Sequence, residues 1–258
     1  MNKASLITSL SRVPGVSRLL RWAASRYPEG SVVPIRSGYA QGMLWKRSHR
    51  YVNGFWVGQF ELGVQAAIAR LLSPGDTFLD LGAHAGFFSL VGARRVGAAG
   101  KVVCVDPDAL NCAFIRAQGE LNALTNWVVL QVAVADAPGT ATFAVYVPGD
   151  STGHLAETGE AAGQTFDVTV TTLDAIVRDH GRPRLVKMDV EGAEVRALLG
   201  ATETLRDARP AWLIELHSPE LAEQARAILT GAGYRLSTLT GDPVPDGTPL
   251  PHHVVAQP

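Results

Sequence analysis

Three stretches carry charged or imidazole side chains to the ends of apolar runs. In TFLDLGAHAGFFSL, an apolar run over 77–81 leads into Gly82, Ala83, His84, Ala85 and Gly86, and Phe87 and Phe88 then open a helical pattern. In LVKMDVEGAEVRALLG, a run over 184–189 places Lys187 and Asp189 two apart, on one side of a strand, with Glu191 and Glu194 just beyond. In AWLIELHSPE, Glu215 and His217 repeat that spacing. A fourth run, Lys101–Val105, ends in Asp106. A glycine loop between strand and helix lets backbone N–H groups approach a ligand closely. An acid at the next strand end accepts hydrogen bonds from both hydroxyls of a ribose. These pieces make one half of a nucleotide-type cofactor site.

The glycine spacing separates two cofactors. A dinucleotide fingerprint crowds its glycines as G-x-G-x-x-G around a pyrophosphate. Here the pattern is Asp80-x-Gly82-x-x-x-Gly86. An acid ahead of the first glycine repels phosphate and suits a cationic amine or sulfonium. The loop therefore favours S-adenosylmethionine, with an NAD-linked oxidoreductase as the alternative. A loop of this kind is also compatible with a purely structural turn.

The Lys187, Asp189 and Glu191 group and the Glu215–His217 pair belong on neighbouring strand ends, where they would meet an acceptor. His217 could take a proton from a hydroxyl near neutral pH. With Asp189 and Glu215 it could instead hold Mg2+ or another divalent cation. Simple pairing with a carboxylate is the third option. Glu194 could merely complement a helix N-terminus. Glu61, in GFWVGQFE, could reach a cofactor amino group, while Trp56 reads as core. His154, in GDSTGHL, could cover an acceptor; His252 and His253, near the C-terminus, read as exposed.

These residues need a scaffold that brings strand ends together. Apolar strands over 77–81, 101–105, 127–134, 184–189 and 211–216 alternate with helical patterns over 86–95, 108–121, 172–179, 192–205 and 219–231. Such alternation predicts an α/β fold, a mostly parallel sheet with helices on both faces. Ligands then bind outside the carboxyl ends of the strands. Two further strands, about 140–147 and 165–171, flank a polar loop over 148–163, and the proline-containing tail reads as antiparallel edge strands. Before them, residues 31–57 read as short strands and turns, and 61–72 as a helix.

Composition narrows the classes. The formal net charge of −1 argues against a sequence-blind nucleic-acid surface. No apolar run approaches a spanning helix. Cys104 and Cys112 form no C-x-x-C and read as buried thiols, which fits a cytoplasmic protein. No acid precedes Glu29, while Lys3, Arg12, Arg18, Arg21 and Arg26 do. The amphipathic SRLLRWAASRY is read as a lid or dimer helix; peripheral contact with an anionic membrane would use the same composition.

Taken together, FWVGQFE, SPGDTFLDLGAHAGFFSL, VDPDALNCAFIRAQGELN, VVLQVAVAD, VTTLDAIV, VKMDVEGAEVRALLGA and RPAWLIELHSPE resemble, in order, the FkbM family of S-adenosylmethionine-dependent methyltransferases. The resemblance implies a Rossmann-like class I methyltransferase fold with a seven-stranded sheet and an antiparallel C-terminal edge. It implies a cofactor domain over 61–258 behind an extension over 1–60. It also implies O-methylation of a small hydroxyl compound: a sugar, a glycoside or a polyketide-type ring of secondary metabolism. By position, Asp80, Gly82, Ala83, His84, Gly86, Phe87 and Phe88 would line the methionine and ribose side, and Asp106 would take the ribose hydroxyls. Ala133 and Val134 would flank the adenine, and Lys187, Asp189 and Glu191 would face the methyl group. His84-Ala85 stands where the family commonly has Asn-Ile, and Asp106 where Glu is usual. A nucleic-acid amine methyltransferase would want Asn/Asp-Pro-Pro-aromatic where this chain has Asp189-Val190-Glu191-Gly192. A non-catalytic cofactor-binding module and a homo-oligomer remain compatible with the residues.

Overall fold

The computed structural model describes residues 27–51, 54–145, 153–156 and 164–258. The basic N-terminal helix and most of the 148–163 loop expected above lie outside them. In chain order the elements are β1 (Val32–Pro34), β2 (Leu44–Lys46), a 3-10 turn (Phe55–Val57), α1 (Leu62–Leu71), β3 (Thr77–Leu81), α2 (Phe87–Val96), β4 (Lys101–Val105), α3 (Ala109–Leu121) and β5 (Trp127–Leu130). A second group follows: β6 (Ala133–Val134), β7 (Gly139–Val145), β8 (His154–Leu155), β9 (Gln164–Thr171) and α4 (Leu173–His180). The chain closes with β10 (Leu185–Met188), α5 (Glu194–Leu199), a π turn (Thr204–Ala208), β11 (Ala211–Glu215), α6 (Pro219–Gly231), β12 (Arg235–Ser237) and β13 (His253–Gln257).

Seven strands form one sheet in the order β12-β13-β11-β10-β3-β4-β5. Only β13 runs against its neighbours, β11 and β12. The Rossmann-like class I methyltransferase fold is therefore present, with the antiparallel strand one place inside the C-terminal edge. Parallel strands covered on both faces are apolar throughout, and all of β10 is buried. One face packs Phe78, Val102 and Leu213 under α1, α2 and α3. The other packs Leu79, Val103 and Trp212 under α4, α5 and α6. Strand order reverses beside β3, so a crevice opens between β3 and its neighbours at their carboxyl ends.

Two expected elements break. The run 127–134 splits at Gln131: β5 stays in the main sheet, while β6 pairs with β9 in a second sheet of order β6-β9-β7-β8. The helix expected over 192–205 is α5 followed by the π turn. The chain turns at Gly200, where a Cβ would lie 2.1 Å from the Ala135 carbonyl oxygen. The β1–β2 hairpin docks on α3 through two side-chain amides. Asn122 pairs with the Leu44 backbone at 2.8 and 2.9 Å, and Gln118 with that of Lys46 at 3.1 and 3.2 Å. Trp45, fully buried, fills the space between.

Candidate active site

The crevice is a cleft of roughly 1150 Å³ including its open mouth. Its floor is the loop after β3. Gly82 has φ 73°, and a Cβ there would lie 1.7 Å from the carbonyl oxygen of Asp189. The glycine is thus required where the β3 loop and the β10 loop touch backbone to backbone. Gly86 caps α2 at φ 77° and faces Ile115; it does not line the cleft. Asp80 does not either. It is wholly buried beneath the floor, with Oδ2 accepting from Ser89 at 2.5 Å and Oδ1 3.6 Å from the Lys187 ammonium.

Asp106 stands at the β4 end in the cleft wall. Its Oδ2 accepts from the His84 backbone N–H at 2.7 Å, and its Oδ1 from the Asp108 backbone N–H and the Asn111 amide, each at 3.0 Å. Burial pushes the Asp106 carboxyl up to about 7, against the lowering effect of those donors. Asp108 caps α3 through Leu110 N–H and also holds Arg50 at 2.6 Å. His84 lines the cleft at φ 50°, edge-on to Tyr51; burial brings its imidazole down to about 4, so the ring is neutral. Val132, Ala133 and Val134, with Phe143 and Leu155 from the second sheet, form an apolar wall.

The other end of the cleft is acidic. Glu61, Asp189, Glu191 and Glu215 line it together with Lys187. Lys187 is buried between Asp80 and Asp189, 3.6 and 3.3 Å away, and lies 5.2 Å from the Phe88 ring centroid. Burial alone would depress its ammonium, yet the two carboxylates carry it above its ordinary value. His217 sits behind this rim rather than in the cleft lining. Its Nδ1 meets the fully buried Glu194 at 2.9 Å, and its Nε2 faces Glu191, Asp189 and Glu215 at 3.3, 3.7 and 3.9 Å. The Glu194 hydrogen bond, with these charges, outweighs burial and lifts His217 to about 9. Burial takes Glu191 up to about 7, offset in part by His217. Burial also raises Glu215, but His253, Lys187 and His252 bring it down to about 2.

The Methyltransferase FkbM domain matches residues 80–236, from the acid near the carboxyl end of β3 into β12. The chain belongs to the FkbM methyltransferase family. Among curated proteins, a ribosomal RNA large subunit methyltransferase E of Sorangium cellulosum is 42% identical over 71 residues, 26% of this chain. That match spans 34% of the relative's length. Among solved structures, a methyltransferase FkbM of Methylobacillus flagellatus aligns over 94% of this chain and 59% of its own, at 18% identity and a TM-score of 0.48. A precorrin-6y C5,15-methyltransferase of Geobacter metallireducens aligns over 80% and 90% at 12% identity and a TM-score of 0.47.

The cofactor of an FkbM methyltransferase is S-adenosylmethionine, and the cleft fits its parts. The acidic end suits a sulfonium, Asp106 retains lone pairs for hydroxyl donors, and the 132–134 wall suits a flat apolar base. Of the residues expected to bind it, the structure brings Glu61, Gly82, Ala83, His84, Phe87, Phe88, Asp106, Ala133, Val134 and Asp189 to one cleft, and leaves Asp80 and Gly86 beneath it. Phe60, Asn111, Phe143 and Leu155 also line the cleft and carry no signal of chemistry in the sequence. Asn111 faces Asp106 from the next helix, its amide donating to Oδ1 at 3.0 Å. His253 is not exposed as expected: its side chain is 19% exposed, because β13 pairs it directly with Glu215. His252 remains 59% exposed. His154 lies in β8, paired with Ala144 of β7.

Proposed function

We propose that the chain transfers a methyl group from S-adenosylmethionine to a hydroxyl of a small polar compound, a sugar, glycoside or polyketide-type alcohol. The observation that carries this is that Asp189, Glu191 and Glu215 line one cleft together with Lys187. Such a rim accepts hydrogen bonds from a hydroxyl-rich acceptor and repels phosphate, which supports a small molecule over RNA. The near-zero net charge points the same way.

Bound S-adenosylmethionine supplies an activated methyl on a sulfonium. The chain's residues would do the rest. Asp106 would hold the ribose hydroxyls, His84 and the Gly82–Ala83 backbone would bound the methionine side, and Ala133 and Val134 would flank the base. Asp189, braced by Lys187, would orient the acceptor. Glu191, whose carboxyl titrates at about 7 in the cleft lining, would accept the hydroxyl proton. His217, fixed as an imidazolium by Glu194, would stabilise the ionised form of Glu191 from behind. Phe60 and Phe88 would exclude water.

A second reading keeps a metal: Asp189, Glu215 and His217 offer donor atoms within 4.8 Å of one another and could hold Mg2+ or a related cation in place of the imidazolium proton. The test is an acceptor screen with methyl-labelled S-adenosylmethionine, with and without chelator, and carbon NMR of the products. Methoxyl signals from hydroxyl compounds are expected, and Glu191→Gln should lower kcat at least a hundredfold with S-adenosylhomocysteine affinity held within about twofold. Methyl found only on nitrogen, only on RNA, or at full rate in the variant would refute the reading.

A further inference from the structure

Where Glu61 and Glu215 line the cleft, three donors from three separate elements converge on the side of Glu215 away from its His217 contact, with Oε2 rather than Oε1. Glu215 ends β11, His253 begins β13 and is its direct cross-strand partner, and Glu61 precedes α1. His253 Nε2 lies 3.0 Å from Glu215 Oε2 and 3.7 Å from Glu61 Oε2, and all three donor atoms fall within 4.8 Å of one another. Donors around a tetrahedral ion at about 2.1 Å stand about 3.4 Å apart, and the two measured separations bracket that value.

Glu61 is aimed at this point at some cost. It occupies the N-cap position of α1, yet its side chain makes no cap bond, and its backbone sits at φ 41°. Its nearest charged partner is His253, and its carboxylate accepts no hydrogen bond from a described residue. Two carboxylates therefore share one imidazole while both line an open cleft. Outside this trio, the other oxygen of Glu215 faces His252 Nε2 at 3.1 Å. His252 Nδ1 lies 3.0 Å from the Leu216 carbonyl oxygen.

We infer that Glu61, Glu215 and His253 form a binding site for a divalent transition-metal ion, with a coordination position open to the cleft. One imidazole and two carboxylates suit Zn2+, Mn2+ or Co2+. The open position would take water or an oxygen of the bound molecule. That last step rests on the hydroxyl-transfer reading; the ion site itself does not.

Cobalt tests it, because its visible absorption reports ligand number and type. Metal-stripped protein, without cofactor or acceptor, is titrated with Co2+ while visible bands and heat are recorded. One equivalent should bind with micromolar affinity. Glu61→Gln and His253→Ala should each weaken binding at least tenfold, and His217→Ala should leave it within about threefold. Far-ultraviolet circular dichroism checks that each variant is folded; Glu61→Gln, nearly isosteric, decides alone if His253→Ala is not. No saturable binding by the unmodified protein would overturn the inference. So would binding that survives Glu61→Gln and disappears in His217→Ala, which would move the ion to the Asp189 set. Since no methyl donor is present, a failed acceptor screen leaves this result untouched.

Discussion

Cofactor affinity should follow the protonation of Asp106. In the free protein its carboxyl titrates at about 7, because burial opposes the charge more than the three donors support it. On the proposed role of Asp106, ribose hydroxyls would donate to the ionised form, so binding would select the carboxylate and the acidic form would have to lose its proton first. With a single group at about 7, the competent fraction falls from about nine-tenths at pH 8 to about one-tenth at pH 6 and one-hundredth at pH 5. S-adenosylhomocysteine should therefore bind about tenfold more weakly at pH 6 than at pH 8, and about ninetyfold more weakly at pH 5. The folding effect has the opposite sign. A carboxyl raised above its ordinary value favours the native state most below that ordinary value, and this stability is lost as pH rises through about 7. Unliganded protein should thus lose thermal stability from pH 5 to 8, while the shift produced by ligand grows. Titration calorimetry and differential scanning fluorimetry across pH 5–8 read both slopes. Asp106→Asn should bind weakly and nearly independently of pH. A flat profile in the unmodified protein, or an unchanged slope in Asp106→Asn, would refute the reasoning.

Gly82→Ala should cost at least about 3 kcal/mol in urea unfolding, since its Cβ would lie 1.7 Å from the Asp189 carbonyl at a φ of 73°. Gly75→Ala, at φ 92° with no atom within 4 Å of the new Cβ, should cost only about 1 kcal/mol in the same assay. Lys187→Met leaves Asp80 buried without its cation and should cost about 3–5 kcal/mol; adding Asp80→Asn should recover part of it in a double-mutant cycle. Glu194→Gln should pull the His217 titration, followed by imidazole NMR, down from about 9 without loss of fold.

Much of this arrangement was legible because it is local. The apolar run 77–81 and its glycines mark a buried parallel strand and its turn, and the spacing of Lys187 to Asp189 and Glu215 to His217 follows from a period of two. The methyl-donor cofactor was expected from Asp80 facing a cationic ligand, and the structure does not place that acid in the cleft. That acid lies beneath the floor, where Lys187 offsets its charge, and the acids that reach this end of the cleft are Glu61, Asp189, Glu191 and Glu215. What stayed hidden depends on pairing between distant segments. The tail reads as antiparallel edge strands, yet nothing near His253 announces the register against β11 that sets the ring beside Glu215. Likewise the break at Gln131 follows from β6 finding β9, where Ala133 pairs with Val170 and Val134 with Thr171. Arg50 gives no sign in the sequence that it will meet Asp108.

The contact between the Gly82 and Asp189 backbones limits how this cleft can be redesigned. No side chain separates the two loops, so neither can be shifted to suit a bulkier acceptor without dragging the other, and any gain in acceptor fit would be charged to the methyl donor. On the hydroxyl-transfer reading, substitutions meant to widen the acceptor range should leave Gly82 and the Asp189 backbone untouched, because this floor is shared by both bound molecules.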